Sequence, residues 1–274
     1  MDKLVTSIKP PSGLTLGVRE LWHHRELFYF FTWRDIKVKY KQTYLGIVWA
    51  LLQPLGMMLI FTFLFSRTWK IDTGPVAYPV FVLAGLLCWN LFYSSVSHAG
   101  DSMIQNAHII RKIYFPRLII PCSAILVALF DFLIAFIIFL ILCPLLKQSI
   151  DIAALVYFPA GILLTILAAA GLGFWLAALN VKFRDFRYAL PFLLQLLFFA
   201  SQVIYPLQGI QRPLFKWLLA INPVNAAIEL FRAPLSNRSP DMTIVLIGTG
   251  SSLLLLIIGL FYFRKTEAYF ADLA

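Results

Sequence analysis

Charge is scarce in this chain, and its scarcity decides which class of protein the sequence describes. Only 13% of the 274 residues are charged, whereas an ordinary soluble domain carries roughly 25%. By contrast, 61% of the residues are hydrophobic and the mean hydropathy is +0.82. A soluble core cannot bury this much apolar surface, so we expect lipid to be the solvent for much of the chain.

Nucleotide-binding and catalytic motifs are missing as well. The sequence contains no G-x-x-x-x-G-K-[ST], H-E-x-x-H, G-x-S-x-G or C-x-x-C pattern, which excludes a P-loop ATP site and the common hydrolase and redox sites. No metal site is expected, because the adjacent His23 and His24 do not share a helix face. Residues 1–42 lack the short apolar run of a signal peptide, so the chain is expected to keep its N-terminus. Three cysteines lie in apolar runs and are predicted to be buried, inert thiols: Cys88, Cys122 and Cys143.

Charge-free windows predict an all-α integral membrane protein with six transmembrane helices, since a spanning helix needs about 20 apolar residues. Residues 217–228 form a window too short to cross a bilayer. Together with the prolines around it, this window predicts either two re-entrant half-helices in the outer leaflet or two helices lying flat on the surface. The six spans are predicted at about 43–66, 77–98, 118–145, 152–180, 188–206 and 242–263.

The distribution of basic residues predicts the orientation. Of the 23 Lys and Arg residues, 16 fall on the side of the two termini and seven on the other side. The positive-inside rule therefore places both termini in the cytoplasm. Residues 1–42 then form a cytoplasmic N-terminal region, 43–264 the transmembrane domain and 265–274 a cytoplasmic tail. Because the charges flank apolar runs, the net charge of +10 is explained by the membrane, and no nucleic-acid partner is expected.

An amphipathic helix is predicted over residues 17–37, GVRELWHHRELFYFFTWRDIK. Leu27, Phe30 and Phe31 interrupt its pattern. Such a helix either lies in the membrane interface or packs on a partner subunit, and the two can hold together. The predicted apolar face consists of Leu21, Trp22, Phe28, Tyr29, Trp33 and Ile36, opposite Arg19, His23, Glu26, Arg34 and Lys37.

Basic residues near the start of the first span form a further cluster. They are expected to hold the span at the anionic inner leaflet, at roughly 1 kcal/mol of attraction each. We also hypothesise that they capture a phosphate group of the substrate, since Arg and Lys suit phosphate. The cluster comprises Arg34, Lys37, Lys39 and Lys41.

Two loops on the basic side are short and patterned. Asp101 is predicted to cap a helix that runs to about Lys112. Three isoleucines on this helix, Ile104, Ile109 and Ile110, either insert into a partner's groove or lie on the protein's own bundle. The second loop, LNVKFRDFRYALP, holds Lys182, Arg184, Asp185 and Arg187; anchoring alone explains its bases, and Asp185 is able to pair with a neighbouring arginine.

Three residues inside predicted spans stand out as pore or packing candidates. Asp131 is the only ionisable residue placed well inside a span. An intramembrane carboxylate is a functional candidate by default, although a structural carboxyl that faces the bundle remains an alternative. Pro54 is predicted to bend the first span, and Gln53 to form a hydrogen bond across helices.

Three segments carry a resemblance to a known family: RDIKVKYKQTYLGIVWALLQPL, VKFRDFRYALPFLLQLLFFASQVIYPL and INPVNAAIELFR. Together they resemble the membrane permease subunit of type 2 ABC transporters. The similarity is to the polysaccharide-exporting branch, which moves O-antigen, teichoic acid or capsule precursors. It extends over about residues 20–265.

The resemblance implies a half-transporter in the bacterial cytoplasmic membrane. Two copies form a homodimer that carries a lipid-linked glycan by alternating access or processive translocation. Two copies of a separate cytosolic ATPase bind ATP and Mg, so no cofactor is expected in this chain. The implied ATPase-coupling residues are Asp101, Gln105, Asn106, His108, Arg111, Lys112, Arg184 and Asp185. The implied external gate contains Tyr205, Pro206, Asn222, Pro223 and Glu229.

Other function classes remain as alternatives. The nearest is a type 2 ABC permease that exports a drug or a lipid. An ion- or proton-coupled carrier would depend on titration of Asp131. A membrane acyl- or glycosyltransferase is opposed by the lack of a catalytic constellation.

Overall fold

The computed structural model describes residues 22–41, 46, 48–69, 73–113, 115–183, 185–207, 213–267 and 270. Within these residues the chain is all-α, without a β-strand. We number the helices α1 (Arg25–Lys41), α2 (Val48–Phe61), α3 (Tyr78–Gln105), α4 (Ala107–Lys112), α5 (Ile119–Leu145), α6 (Ala154–Lys182), α7 (Asp185–Phe199), α8 (Pro213–Ala220), α9 (Pro223–Arg232) and α10 (Met242–Glu267).

The helices that are long and apolar enough to cross a membrane are α2 with its continuation to Phe65, α3, α5, α6 and α10. In the described part of the chain, a sixth crossing by the same criteria is obtained only if the bent pair α8–α9 is counted as one span. The protein is therefore a multi-pass membrane protein. Helices α3 and α6 form its buried centre, whereas α2 and α10 leave most of their surface to lipid or to other chains.

Long-range contacts define two opposite ends of the bundle. At one end, Asn180 at the end of α6 donates to the Gly100 carbonyl of α3, and Arg117 before α5 donates its backbone N–H to Glu267 at the end of α10. We call this end the basic face. At the other end, Gln148 accepts from Ala77 N and donates to the Leu235 carbonyl. This second end is called the opposite face below.

Small residues allow the central helices to approach one another closely. Gly171 of α6 and Gly259 of α10 meet backbone to backbone, because a Cβ on Gly259 would lie 2.0 Å from the Gly171 carbonyl oxygen. Gly173 of α6 packs on the Ala99 side chain of α3, whose Cβ would lie 2.8 Å from a Cβ added at Gly173. Small-residue contacts of this kind are a common basis of helix association in membranes.

The predicted fifth span, 188–206, differs from the structure. Helix α7 begins earlier, at Asp185, contains Pro191 in its interior and ends at Phe199. Its 15 residues extend about 22 Å, too short for a hydrocarbon core of about 30 Å. The chain nevertheless reaches the opposite face, because the Tyr78 hydroxyl at the start of α3 donates to the Ile204 carbonyl. Irregular backbone at this depth is tolerated because it lies against α3 and α9 rather than lipid.

Helices α8 and α9 form a bent pair that enters the bundle from the opposite face. The two helices differ in direction by 95°. Ala226 of α9 meets Gly248 of α10, which lies six residues, or roughly 9 Å, into that helix. Phe231 packs in a cluster of aromatic rings with Phe132, Phe136 and Phe158. Helix α9 is thus buried against α5, α6 and α10, whereas most residues of α8 are exposed.

Helix α2 remains continuous through Pro54. Its regular winding changes further along, where residues Thr62–Trp69 form a wider π-helical segment. Of the cysteines, Cys88 and Cys143 are buried as predicted, whereas Cys122 is partly exposed.

Candidate functional site

A polar cavity of about 340 Å³ lies where α1, α2, α3 and α5 meet. Its volume falls in the range of about 300–1,000 Å³ that is usual for small-molecule sites. The predicted pore or packing residues Gln53, Pro54 and Asp131 all line it. The polar groups of its wall come from Lys39, Tyr40, Gln53, Asn90, Tyr93, Ser94, Ser97, His98 and Asp131.

Asp131 joins α5 to the end of α1. Lys39 Nζ pairs with its Oδ2, and the Tyr40 hydroxyl donates to its Oδ1. Burial and the hydrogen bond to Asp131 raise the pKa of Tyr40, so the phenol stays protonated as a donor. A lone carboxylate in an apolar helix needs partners of this kind, because an unpaired one is costly to bury. This geometry agrees with a structural role for Asp131, and it closes one wall of the cavity.

The four basic residues of the predicted phosphate cluster lie in different surroundings. The Arg34 guanidinium donates to Asn106 Oδ1 at 2.8 Å and to Asp35, and lies 4.8 Å from the Phe31 ring. Lys39 is engaged by Asp131, as described above. Lys37 and Lys41 are exposed, and Lys37 lies over the Trp33 ring at 5.2 Å. Direct capture of a phosphate group is therefore better suited to Lys37 and Lys41 than to the other two.

The apolar surface of α1 is divided differently from the prediction. Phe31, which interrupts the predicted pattern, is only 2% exposed and packs on Phe115. By contrast, Trp22, Tyr29 and Trp33 of the predicted face are exposed. The difference arises because α1 packs along α5, so one apolar side faces the bundle while an aromatic side points outward. Outward aromatic rings between basic residues suit the membrane interface.

The predicted cap at Asp101 is wrong. Helix α3 runs without a break through Asp101 to Gln105, and the chain turns at Asn106 before the short helix α4. Asp101 instead pairs with Arg187 at the start of α7, at 3.6 Å. Helix α3 extends beyond the predicted limit of the span at residue 98. The Asp101 carboxylate lies in this additional part and connects α3 to α7.

Asn106 is the hinge between α3 and α4. It accepts from Arg34 and donates through Nδ2 to the Ser102 carbonyl at 2.9 Å. These contacts fasten α1 to the α3–α4 junction. A movement of α4 would therefore act on α1 as well as on α3.

Helix α4 buries its isoleucines and exposes polar side chains. Ile110 is 5% exposed in the cluster that contains Phe31 and Phe115, and Ile109 packs against that cluster. The isoleucines thus attach α4 to its own bundle, which answers the question that spacing alone left open. The exposed residues on and beside the helix are Gln105, His108, Arg111, Lys112 and Ile113.

The second predicted contact loop is only partly within the described residues. Asp185 is exposed in the first turn of α7, where a carboxylate interacts favourably with the helix dipole. Arg184 lies outside the described residues. Asp185 and the exposed residues of α4 all lie on the basic face.

Two of the predicted external-gate residues, Asn222 and Pro223, support the turn into α9. Asn222 caps α9 by accepting from Val224 N at 3.1 Å, directly before Pro223 in the first turn. The Tyr205 hydroxyl donates to the Phe199 carbonyl and bridges the end of α7. Pro206 and Glu229 line a second cavity at the opposite face.

Two residues that organise this region, Asn225 and Arg232, were not among the predicted site residues. Asn225, fully buried, accepts from Gln202 N at 2.7 Å and thereby attaches α9 to the segment after α7. Arg232 is buried as well, at 2% exposed. Glu229, only 1% exposed, accepts from Asp241 N and pairs with Arg238. A signal was present in the spacing, since Asn225, Glu229 and Arg232 recur every three to four residues on one helix face.

Asp241 precedes α10 and forms an ion pair with Lys216 of α8 at 2.5 Å. Partial burial would raise the pKa of Asp241, but the hydrogen bond and charge of Lys216 outweigh that effect and hold the pKa below its ordinary value. The carboxylate also accepts from Thr243 N in the first turn of α10. It therefore fixes the bent pair to the start of the last span.

Comparison with known proteins identifies the protein family of this chain. The profile of the ABC-2 type transporter family matches residues 26–235, which include the cavity, α4 and the bent pair. The chain belongs to this family of transporter membrane domains.

Its relatives narrow the class further. The chain is 30% identical over 257 residues to the O-antigen export system permease protein RfbA of Myxococcus xanthus, and the alignment covers 93% of this chain and 98% of that protein. It is 26% identical over 248 residues to an RfbA of Klebsiella pneumoniae, covering 90% and 95% of the two chains. The polysialic acid transport protein KpsM of Escherichia coli is 27% identical over 203 residues, covering 73% and 77%.

Proposed function

We propose that this chain is the permease subunit of an ATP-driven exporter that moves a lipid-linked polysaccharide across the bacterial cytoplasmic membrane. The observation that carries the proposal is the alignment with an O-antigen export permease over 93% of this chain and 98% of that relative. The chain's own features agree with it: apolar spans surround a polar cavity, and α1 presents aromatic and basic residues where a lipid-linked anion would approach.

A separate ATPase subunit supplies the energy in this proposal. The chain has no P-loop, so ATP and Mg would be bound by the partner. Helix α4 is suited to receive that partner, since buried isoleucines hold it to the bundle while its outward side offers a polar, basic surface. The basic face is accordingly the cytoplasmic face, as the excess of Lys and Arg predicts.

Two copies of the chain would enclose the pathway. Helix α2 leaves most of its surface unburied within one copy and carries the polar Gln53 on it. A polar side chain on an exposed span favours contact with protein or water over lipid. The homodimer thus gives Gln53 and the neighbouring cavity a polar environment.

Contacts within one copy suggest how ATPase closure reaches the cavity. A displaced α4 would carry Asn106 and, through it, Arg34 of α1. Helix α1 ends at the cavity wall, where Lys39 and Tyr40 hold Asp131. Movement of α4 would therefore change the position of the wall that Lys39 and Tyr40 form.

Reconstitution tests the proposal. The chain would be purified with candidate ATPases, placed in proteoliposomes and supplied with lipid-linked glycans, and ATP hydrolysis and glycan transfer would be measured. We expect one glycan class to stimulate hydrolysis. Stimulation by drugs or unglycosylated lipids alone would instead support the nearest alternative, and transport without any ATPase would support an ion-coupled carrier.

Matched variants separate the roles of the basic residues. Arg111→Glu with Lys112→Glu should uncouple glycan-stimulated hydrolysis, whereas Lys265→Glu, exposed at the end of α10 on the same face, should not. Lys37→Ala with Lys41→Ala should reduce glycan transfer at normal membrane insertion. Full transfer by the Lys37/Lys41 variant would refute phosphate capture without affecting the rest of the proposal.

A further inference from the structure

A second cavity, of about 380 Å³, lies at the opposite face and shares no lining residue with the polar cavity described above. The segment before α3, the segment after α7 and helix α9 with the turn that follows it form its walls. Its polar lining groups belong to Thr73, Gln202, Glu229, Arg232, Ser236 and Arg238. Two of these residues carry a guanidinium group and one carries a carboxylate.

Arg232 lies in the wall of this cavity and is held in place by its neighbours. The residue is 2% exposed, and its guanidinium lies 3.3 Å from the centre of the Phe81 ring. Nε and Nη2 donate to the Phe81 carbonyl, and Nη2 also donates to the Val203 carbonyl at 2.8 Å. Gly85 makes room for it, since a Cβ there would lie 2.9 Å from Nη2. The side chain is thus held rigidly in one orientation.

The remaining nitrogen of Arg232, Nη1, is buried and has no hydrogen-bond acceptor among the described residues. The acceptors of the other two nitrogens are uncharged carbonyl groups. A guanidinium stays charged in proteins, and leaving part of it buried without an acceptor is unfavourable. An ion or group that supplies a negatively charged oxygen would relieve this cost.

The charge balance of the cavity also favours an anion. Arg238 pairs with Glu229 at 3.0 Å and donates through Nε to Ser236 at 3.0 Å. Glu229 accepts from the backbone of Asp241 as well, so this one carboxylate serves several donors. The described lining residues therefore carry two positive charges against one negative charge. Two guanidinium groups on one wall are suited to bind a carboxylate or a phosphate.

We propose that this cavity binds an oxyanion, a carboxylate or phosphate group, between Arg232 and Arg238 at the face opposite the basic face. The group has two possible sources: the phosphate of a lipid headgroup in that leaflet, or an acidic group on the exported polymer. The site itself does not depend on the proposed export function, and only the polymer source rests on it.

The test uses the full chain in dodecyl maltoside micelles, which contain no phosphate, titrated with inorganic phosphate and, separately, with glucuronate by calorimetry. We expect saturable binding of at least one of them. Arg238→Gln should weaken it by about tenfold or more, since hydrogen bonds to charged groups are strong. Lys147→Gln removes an exposed charge at the same face and serves as the control. Absence of saturable binding, or equal affinity in Arg238→Gln and wild type, would overturn the proposal.

A second variant covers the buried arginine. Arg232→Lys keeps the charge but removes the forked donor, and it should weaken binding comparably if the protein folds, which thermal unfolding would report. If it does not fold, Arg238→Gln alone decides. Nanodiscs that contain phosphatidylglycerol distinguish the sources: competition with phosphate assigns the site to a headgroup, and undiminished glucuronate binding assigns it to the polymer. Because no transport is measured, failure of the export function would leave this result unchanged.

Discussion

Replacing Gly259 with alanine should force two packed spans apart. Helices α6 and α10 meet at Gly171 and Gly259, and a Cβ on Gly259 would lie 2.0 Å from the Gly171 carbonyl oxygen. The next nearest atoms, at 2.8 and 3.1 Å, also belong to the Gly171 backbone. If the atoms near the added Cβ belonged to a side chain, that side chain could rotate away at little cost, but the backbone of a helix cannot. The overlap must therefore be relieved by movement of a whole helix.

The size of the effect follows from that movement. Ordinary van der Waals contact begins at 3.4 Å, so α6 and α10 must separate by about 1.4 Å at this point. A gap of about 0.5–1 Å already forfeits a quarter to a half of the dispersion attraction across an interface. Overpacking usually costs about 1–3 kcal/mol, and we expect ~3 kcal/mol here because the obstacle is backbone.

Unfolding of the purified protein in mixed micelles, followed by tryptophan fluorescence, measures this cost. Gly250 is the matched control, since it lies on the same helix and an added Cβ would meet nothing within 4 Å. Gly250→Ala should be neutral or stabilise by up to about 1 kcal/mol, through the better helix propensity of alanine. If Gly259→Ala and Gly250→Ala have the same free energy of unfolding, the α6–α10 crossing described above is wrong.

Three further predictions concern named contacts. Lys39→Gln and Asp131→Asn should show a coupling of about 1 kcal/mol in a double-mutant unfolding cycle, and additive losses would contradict the ion pair. Ile110→Ala should destabilise by about 2–3 kcal/mol because the side chain is buried, whereas the exposed His108→Ala should unfold like wild type; equal curves would refute the packing of α4. Because the pKa of Asp241 is lowered in the folded state, its ionised carboxylate stabilises the fold. This stabilisation is fully present above the unfolded-state pKa and is lost as the pH falls through the folded-state pKa. Asp241→Asn, which can still cap α10, should thus be less stable than wild type by up to about 1 kcal/mol at pH 7, and the difference should shrink as the pH falls through the folded-state pKa of Asp241; a pH-independent difference would contradict this.

Long apolar segments were predictable because burial in lipid imposes a length on them. Helices α5, α6 and α10 begin within two residues of the predicted spans. Helix α3 continues past its predicted limit at residue 98, and Asp101, predicted as a cap, lies inside this helix and pairs with Arg187. Helix α7 ends early because the segment after it satisfies its backbone polar groups through α3 and α9, contacts that no local pattern contains.

The candidate site was less accessible to sequence reasoning. Asp131 was recognised because a carboxylate in an apolar run is conspicuous, but its partners Lys39 and Tyr40 lie about 90 residues away in the chain. Arg34 and Lys39 were grouped with Lys37 and Lys41 by proximity in sequence. Their side-chain contacts separate them, since Arg34 pairs with Asp35 and Asn106, and Lys39 pairs with Asp131.

By itself, the sequence determined that lipid surrounds much of the chain, that the chain is helical, and that Lys and Arg are concentrated at one face. These properties follow from summed hydropathy and charge. It also carried the family, through its extended motifs. Only the tertiary structure decided which side of α1 and α4 is buried, and that Asp131 is paired. It likewise revealed Arg232 as an incompletely satisfied buried charge. The reason is that pairing energies depend on atoms brought within about 3–4 Å by the packing of distant helices, and such distances are not encoded in any local pattern.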